Sequence, residues 1–460
     1  MTIRDHDQAI ATVKGPQAME DATASLDAAL LGLDGFVVLG SAEVGGELEL
    51  LIETTADLVA CPGCGAVARP KDRRPTWVRD LPLAGRAVVL CWWKRIWCCP
   101  HERCETKTWT ERHSAIAARA VLTERARQWA FEQVGEHDAA VAAVAAGLGV
   151  AWWTVMGQVI ARGTPLVADP GRLDPPGAPV TAVGVDETSF LRATGTHATV
   201  FATGIADLTP GRPARLLDVV EGRSGTVLGG WLAERDDAWR AGMCTASLDP
   251  FRGYATALAT HLPQAARVLD PFHVVRLGLA CVDDIRRRVQ QEIIGHRGRK
   301  TDPLYGIRRV LRRRRDRLSM KARARLEAGL VAADADGEVT LAWTVAQDLM
   351  ALYQHDDPEL ARASAEQLIT DLRTCPIDEL ARLGRTLHAW RVELCAHFDH
   401  PWVSNGPTEN LNLKIKNTQR TARGFRNFAH YRLRLLLNHG RIREDHPPTR
   451  IRTCRPRFAA

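Results

Sequence analysis

Acidic residues are missing where this chain is most basic. None lies between Glu409 and Glu444, while Lys414, Lys416, Arg420, Arg423, Arg426, Arg432, Arg434, Arg441 and Arg443 all fall there. Such a stretch suits a polyanion; the plain alternative is a solvated basic face. A secretory opening is also missing. MTIRDHDQAI is polar and charged, with no basic segment leading into an apolar run. The expectation is a cytoplasmic chain whose 11 cysteines stay reduced, so that clustered cysteines read as metal ligands before disulfides. Residues 139–161 are long enough to cross a bilayer but consist mostly of Ala and Gly, without the Leu, Ile and Phe of a spanning helix. No membrane partner is expected. What remains is a 460-residue chain with 45% apolar residues and a formal charge of +7. That is enough for two to four domains with real cores, and its charge favours a nucleic-acid partner.

Residues 36–53 alternate in part around Gly45-Gly46, which predicts a β-hairpin. CPGCG follows at 61–65, an apolar strand at 87–93, and CCPHERC at 98–104. Two short loops carrying two thiolates each can converge on one tetrahedral zinc ion. Cys61, Cys64, Cys99 and Cys104 are the assigned ligands. Cys98 faces away from Cys99 on a strand, Cys91 sits in apolar sequence, and His101 is an alternative ligand. Buried free thiols are the competing reading.

Residues 122–162 read as helices. Asp138 is the expected cap of an Ala-rich helix, Gly147-Leu148-Gly149 breaks it, and AWWTVM resumes it. Small residues, a glycine turn and a second apolar helix predict a helix-turn-helix; an ordinary αα-hairpin is the alternative. Residues 164–179, with Asp174-Pro175-Pro176-Gly177, read as a linker.

Beyond it the pattern predicts three strands, a helix, a strand, a helix and a strand. Residues 180–185 end in Asp186, 244–248 in Asp249, and 267–269 in Asp270-Pro271-Phe272-His273. A carboxylate closing a buried strand is costly unless it is paired or holds a cation. Glu187 is expected on the face opposite Asp186. Residues 278–401 are helical in texture throughout. Asn405-Gly406-Pro407 then opens a long basic helix, with Pro407 suited to its first turn. Glu409 sits in that turn, and Asn412 and Lys416 share its face.

The order of CPxCG, helix-turn-helix, VGVDETSF, SLDPFRGY, LDPFHVVRL, a helical stretch and SNGPTENLNLKIKNTQRTARGFRNF resembles the ISL-three-type insertion-sequence transposases of bacteria. The resemblance covers residues 51–440. It implies a multidomain α/β protein: a zinc ribbon, a helix-turn-helix, and an RNase H-like core interrupted by an all-α insertion. The implied divisions are 1–50 (arm and first strands), 51–112 (zinc ribbon), 113–165 (helix-turn-helix) and 178–277 (core, first part). The insertion follows at 278–400, then the final core helix at 401–445 and a loose tail at 446–460. The implied acidic triad is Asp186, Asp249 and Glu409, holding magnesium or manganese beside a structural zinc; Asp270 competes for the middle place, and His273 and Asp270 are auxiliary candidates. The implied activity is DNA cleavage and strand transfer at the terminal inverted repeats and at target DNA. It implies a homo-oligomer on double-stranded DNA near the nucleoid, with Lys414, Lys416, Arg420, Arg423 and Arg426 contacting phosphates. A non-catalytic DNA-binding regulator and a structure-selective nuclease are the alternatives.

Overall fold

The computed structural model describes residues 31–441 except 57, 197, 404 and 405, so the 446–460 tail and most of the N-terminal arm lie outside the described residues. The chain divides into two compact units: one up to Val167 together with Arg420–Gly424, the other Ala168–Gln419 with the residues from Phe425.

The first unit is built on a five-stranded sheet. β1 (Phe36–Val44) and β2 (Glu47–Thr54) form the expected hairpin around Gly45-Gly46, both at positive φ. β3 (Arg69–Leu83) and β4 (Arg86–Cys98) form a second, longer hairpin, and β5 (Thr108–Thr110) pairs with the end of β4. The order is β1-β2-β4-β3. β2 runs through residue 50, so the division drawn there from the sequence falls inside a strand. Most of β3 was not foreseen, because RPKDRRP shows no alternation and carries two prolines. At the sheet edge that sequence is tolerated, since the outer side needs no donors. Ile52, Val78, Leu90 and Trp92 close the core beneath.

Three helices follow: α1 (Glu124–Gly135), α2 (Val141–Leu148) and α3 (Trp152–Ala168). Gly149, at φ 65°, ends α2 in the left-handed region as a C-terminal glycine does, and α3 departs at 114°. Asp138 is not the cap: it has φ 55°, and Ala140 caps α2 without a side-chain hydrogen bond. The linker also begins later than expected, because α3 absorbs Pro165 and continues to Ala168. No single helix among the described residues is long and apolar enough to cross a membrane.

The second unit has a five-stranded sheet in the order β10-β9-β6-β7-β8. β6 (Ala182–Leu191), β7 (Val200–Asp207) and β8 (Arg215–Glu221) run antiparallel. After α4 (Gly225–Ala233) and α5 (Asp237–Ala241), β9 (Thr245–Leu248) joins β6 in parallel. α6 (Arg252–His261) then leads to β10 (Ala266–Leu269), parallel to β9. α7 (Pro271–Ile294) starts at β10 and runs on into the helical stretch, through residue 278. That stretch comprises α8 (Pro303–Ile307), α9 (Met320–Ala333), α10 (Glu338–Leu352), α11 (Pro358–Arg373), α12 (Asp378–Ala389) and α13 (Arg391–Asp399). It shares one core with the sheet: Val185, Leu248, Leu269, Ile285, Val345 and Leu394 belong to the same buried cluster.

α14 (Gly406–Thr421) and α15 (Phe428–His439) close the unit. The expected long basic helix is therefore two helices. Arg423 and Gly424, at φ 57° and 93°, leave the right-handed region and end the first. Arg432 clamps α15 to β8 through a two-pronged ion pair with Asp218, at 2.6 and 2.9 Å.

Candidate functional site

The sheet register assembles the acidic residues. Val185 on β6 pairs with Leu248 on β9, and Leu248 with Leu269 on β10. Asp186, Asp249 and Asp270 each come one residue later, so they stand at one level across three adjacent parallel strands. Asp249 and Asp270 follow the ends of their strands as expected. Asp186 does not close β6: it is the fifth of ten residues, and β6 continues beside β7 after β9 has ended. The carboxylate is thus exposed by its neighbour's end rather than its own.

α14 lies along β6. Thr408, Leu411, Ile415 and Thr418 form its buried stripe. A Cβ on Gly184 would sit 2.6 Å from Leu208 Cδ1 and 2.7 Å from Thr408 Oγ1, so the missing side chain makes room against β6 for both Leu208 and the first turn of α14. Further along, Asn412 donates a hydrogen bond to Asp186, and Gln419 Nε2 donates to the Ser189 carbonyl at 3.0 Å. Glu409, Asn412 and Lys416 consequently face one open cavity of about 520 Å³ with Asp186 and Asp249. Glu409 is exposed at its rim.

The electrostatics are strained in a useful direction. Burial, then the charge of Asp249, pushes the Asp186 carboxyl up to about 7, and the two carboxyls share a hydrogen bond. Two acids this close favour a shared proton or a cation between them. His273 Nδ1 lies 2.9 Å from Asp249 and 3.0 Å from Asp270. Burial alone would lower its pKa, but the two carboxylates outweigh that and raise it to about 9. Asp270 is buried at the start of α7 and does not line the cavity, whereas Asp249 does.

Sequence reasoning missed part of the lining. Glu187 opens onto the same cavity instead of facing away, held by Arg223 at 3.2 Å. Arg223, Tyr254, Phe272 and Arg276 complete the wall. Arg276 was legible, since it lies three residues after His273 on a helix. Arg223 comes from the turn after β8 and carried no signal.

In the first unit the β3–β4 hairpin pairs Arg69 with Cys98, which brings the loops flanking the hairpin together. Cys61, Cys64, Cys99 and Cys104 place all four sulfurs within 4.8 Å of one another. Cys61 and Cys104 are 3.8 Å apart, Cys64 and Cys99 3.5 Å. A tetrahedral zinc with Zn–S of about 2.3 Å requires sulfurs about 3.8 Å apart, so the donors fit it. Burial opposes ionisation of Cys61, but the N–H groups of Gly63 and Cys64 bring it down to about 7. His101 is outside the cluster, its N–H pointing at Cys99 Sγ from 3.4 Å. Lys414, Lys416, Arg420, Arg423 and Arg426 are all exposed, and so is Trp153 at the start of α3.

A family model described as transposase matches residues 183–435, from β6 to α15. A second, the helix-turn-helix domain of transposase family ISL3, matches residues 111–162. The chain belongs to this transposase family, and it carries the family's DNA-binding helix-turn-helix. Among curated relatives, the transposase for insertion sequence element IS1001 of Bordetella parapertussis is 25% identical over 396 residues, covering 85% of this chain and 91% of the relative. The transposase for element IS1557 of Mycobacterium tuberculosis is 25% identical over 304 residues, covering 60% and 63%. Among solved structures, the Drosophila P element transposase strand transfer complex aligns with a TM-score of 0.36 and 9% identity, over 68% of this chain and 91% of that one.

Proposed function

We propose that the second unit carries an RNase H-like core in which Asp186, Asp249 and Glu409 hold magnesium or manganese for DNA cleavage and strand transfer. The observation that carries this reading is the convergence of the three on one cavity from two adjacent parallel strands and a helix. Three antiparallel strands followed by two parallel ones agree with such a core. Hard carboxylate oxygens with room for water suit magnesium, and no thiol lines the cavity. A bound metal pair would stabilise the attacking and leaving oxygens of an in-line displacement at phosphorus. The chain's own groups do the rest. Asn412 orients Asp186, and His273 fixes Asp249 against Asp270. Lys416, Arg223 and Arg276 face the phosphate and offset its charge. Water first breaks the bond from phosphorus to the 3′ oxygen, leaving a 3′-hydroxyl. That hydroxyl then attacks a target phosphodiester and displaces its 3′ oxygen.

The helix-turn-helix and a zinc held by Cys61, Cys64, Cys99 and Cys104 serve recognition of the element's ends, while Lys414, Lys416, Arg420, Arg423 and Arg426 bind phosphates of any sequence. End recognition falls to the divisions expected at 51–112 and 113–165, and general phosphate binding to the one expected at 401–445, in a homo-oligomer assembled on the DNA in the cytoplasm. A non-catalytic regulator has no need of the acidic convergence.

Asp186→Asn, Asp249→Asn and Glu409→Gln keep side-chain shape and remove the charge that attracts the ion. Cleavage of a duplex carrying the element's own end should fall by several orders of magnitude in each, with end binding kept. Asp270→Asn should cost less than Asp249→Asn. Persistent cleavage by Glu409→Gln would overturn the triad, and the reverse order of the two Asp variants would move its middle member to Asp270.

A further inference from the structure

Away from the acidic cavity, the helical stretch encloses a second one of about 460 Å³ with the opposite charge. α7 contributes Arg286 and Arg287, the segment after it Arg297, and the turn after α8 Arg308, Arg309 and Arg312. The only carboxylate in its lining is Asp283, which already holds Arg286 at 2.7 Å and Arg287 at 2.5 Å, with Arg312 at 3.9 Å. Arg297, Arg308 and Arg309 make no ion pair among the described residues. Six guanidinium groups around one carboxylate repel one another unless an anion joins them.

The arginines are also built in. Arg286 is buried and hydrogen-bonded to the side-chain oxygen of Gln290. Arg308 stacks on the Tyr305 ring at 3.8 Å and donates to the Tyr305 carbonyl at 2.8 Å. Gly298, at φ 112°, passes so close to Gln290 that a Cβ there would lie 2.7 Å from Nε2. That buried Nε2 has no hydrogen-bond partner among the described residues, which leaves a neutral donor beside the cations. Planar donors held in fixed positions match phosphate oxygens two at a time.

We propose that this cavity binds the phosphate backbone of DNA, through residues other than those of the acidic site and of the helix-turn-helix. It takes its DNA partner from the function proposed above. The test uses the full-length, zinc-loaded protein and a duplex carrying the element's end with flanking DNA. Affinity is measured against salt without magnesium. Arg297 and Arg309 are exposed, so R297A/R309A should fold as wild type does. Its salt slope should fall by about 0.9 for each phosphate that is no longer neutralised, and its affinity by roughly tenfold. R297K/R309K should recover most of both. R323A, an exposed arginine on α9 outside the cavity, should change neither. An R297A/R309A protein with wild-type slope and affinity overturns the proposal while leaving the transposase reading intact. So does tight binding of inorganic phosphate or ATP that disappears in R297A/R309A while DNA affinity stays unmoved. A wild-type protein that binds no end DNA overturns both.

Discussion

Glu53 shows how single residues tie the first unit together. Its Oε1 accepts from Arg95 at 2.6 Å and from Arg73 at 2.8 Å, joining β2 to β4 and β3. Arg95 also donates through its backbone N–H to Glu111 at 2.7 Å, and Glu111 accepts from Thr54 at 2.8 Å. Burial would raise the Glu53 carboxyl, but the two arginines outweigh it and hold it below 4.5. A depressed carboxylate contributes stability above its unfolded pKa, and that contribution is lost as pH falls through the folded value. Glu53→Gln leaves Arg95 its bonds to the Thr54 and Ala56 carbonyls but removes its carboxylate partner, so it should cost about 1.5 kcal/mol at pH 7. In denaturant titrations the gap from wild type should narrow as pH drops below 4.5. A gap independent of pH would show that shape, not charge, matters there.

Among the elements, α14 decides whether the site exists. Its face of Glu409, Asn412 and Lys416 was legible from helical spacing, but the strand it lies on was not. Gly184 contributes to that approach, because a Cβ there would meet both Thr408 and Leu208 at under 3 Å. Gly184→Ala should push the first turn of α14 off β6 and carry Glu409 away from Asp186. A displacement near 1 Å can cost about a hundredfold in rate. Strand transfer should drop by that order while end binding holds; equal activity would mean that α14 is positioned elsewhere, by bonds such as that of Gln419 with Ser189. The split between α14 and α15 had a signal in Gly424, but the left-handed Arg423 beside it had none. β3 was hidden because a charged, proline-bearing edge strand lacks the alternation of a half-buried one.

At the scale of the whole molecule, the two units call for different supports. The four-cysteine cluster closes the open end of the β3–β4 hairpin in the first, while the second has a large continuous core. Metal analysis should find about one zinc per chain. Stripping it, or changing Cys61 and Cys104 to Ser, should lower the melting temperature of the unit holding β1–β5 and abolish end recognition. The unit holding the acidic cavity should melt unchanged. A zinc-free protein with both transitions intact would refute a structural role for the cluster. The sequence by itself determined that strands β6 to β10 exist and in what order, though not how far β6 extends, together with the helical texture after them, the cysteine pairs and the acidic candidates, because periodicity, glycine and proline turns and ligand spacing act over a few residues. Only the tertiary structure decided that Asp186 lies mid-strand, that Asp249 rather than Asp270 lines the cavity, and that Glu187 and Arg223 join them. Those outcomes depend on strand register and on how closely a helix packs on a sheet, which are set by interactions between residues up to about 230 positions apart, as Gln419 and Ser189 are.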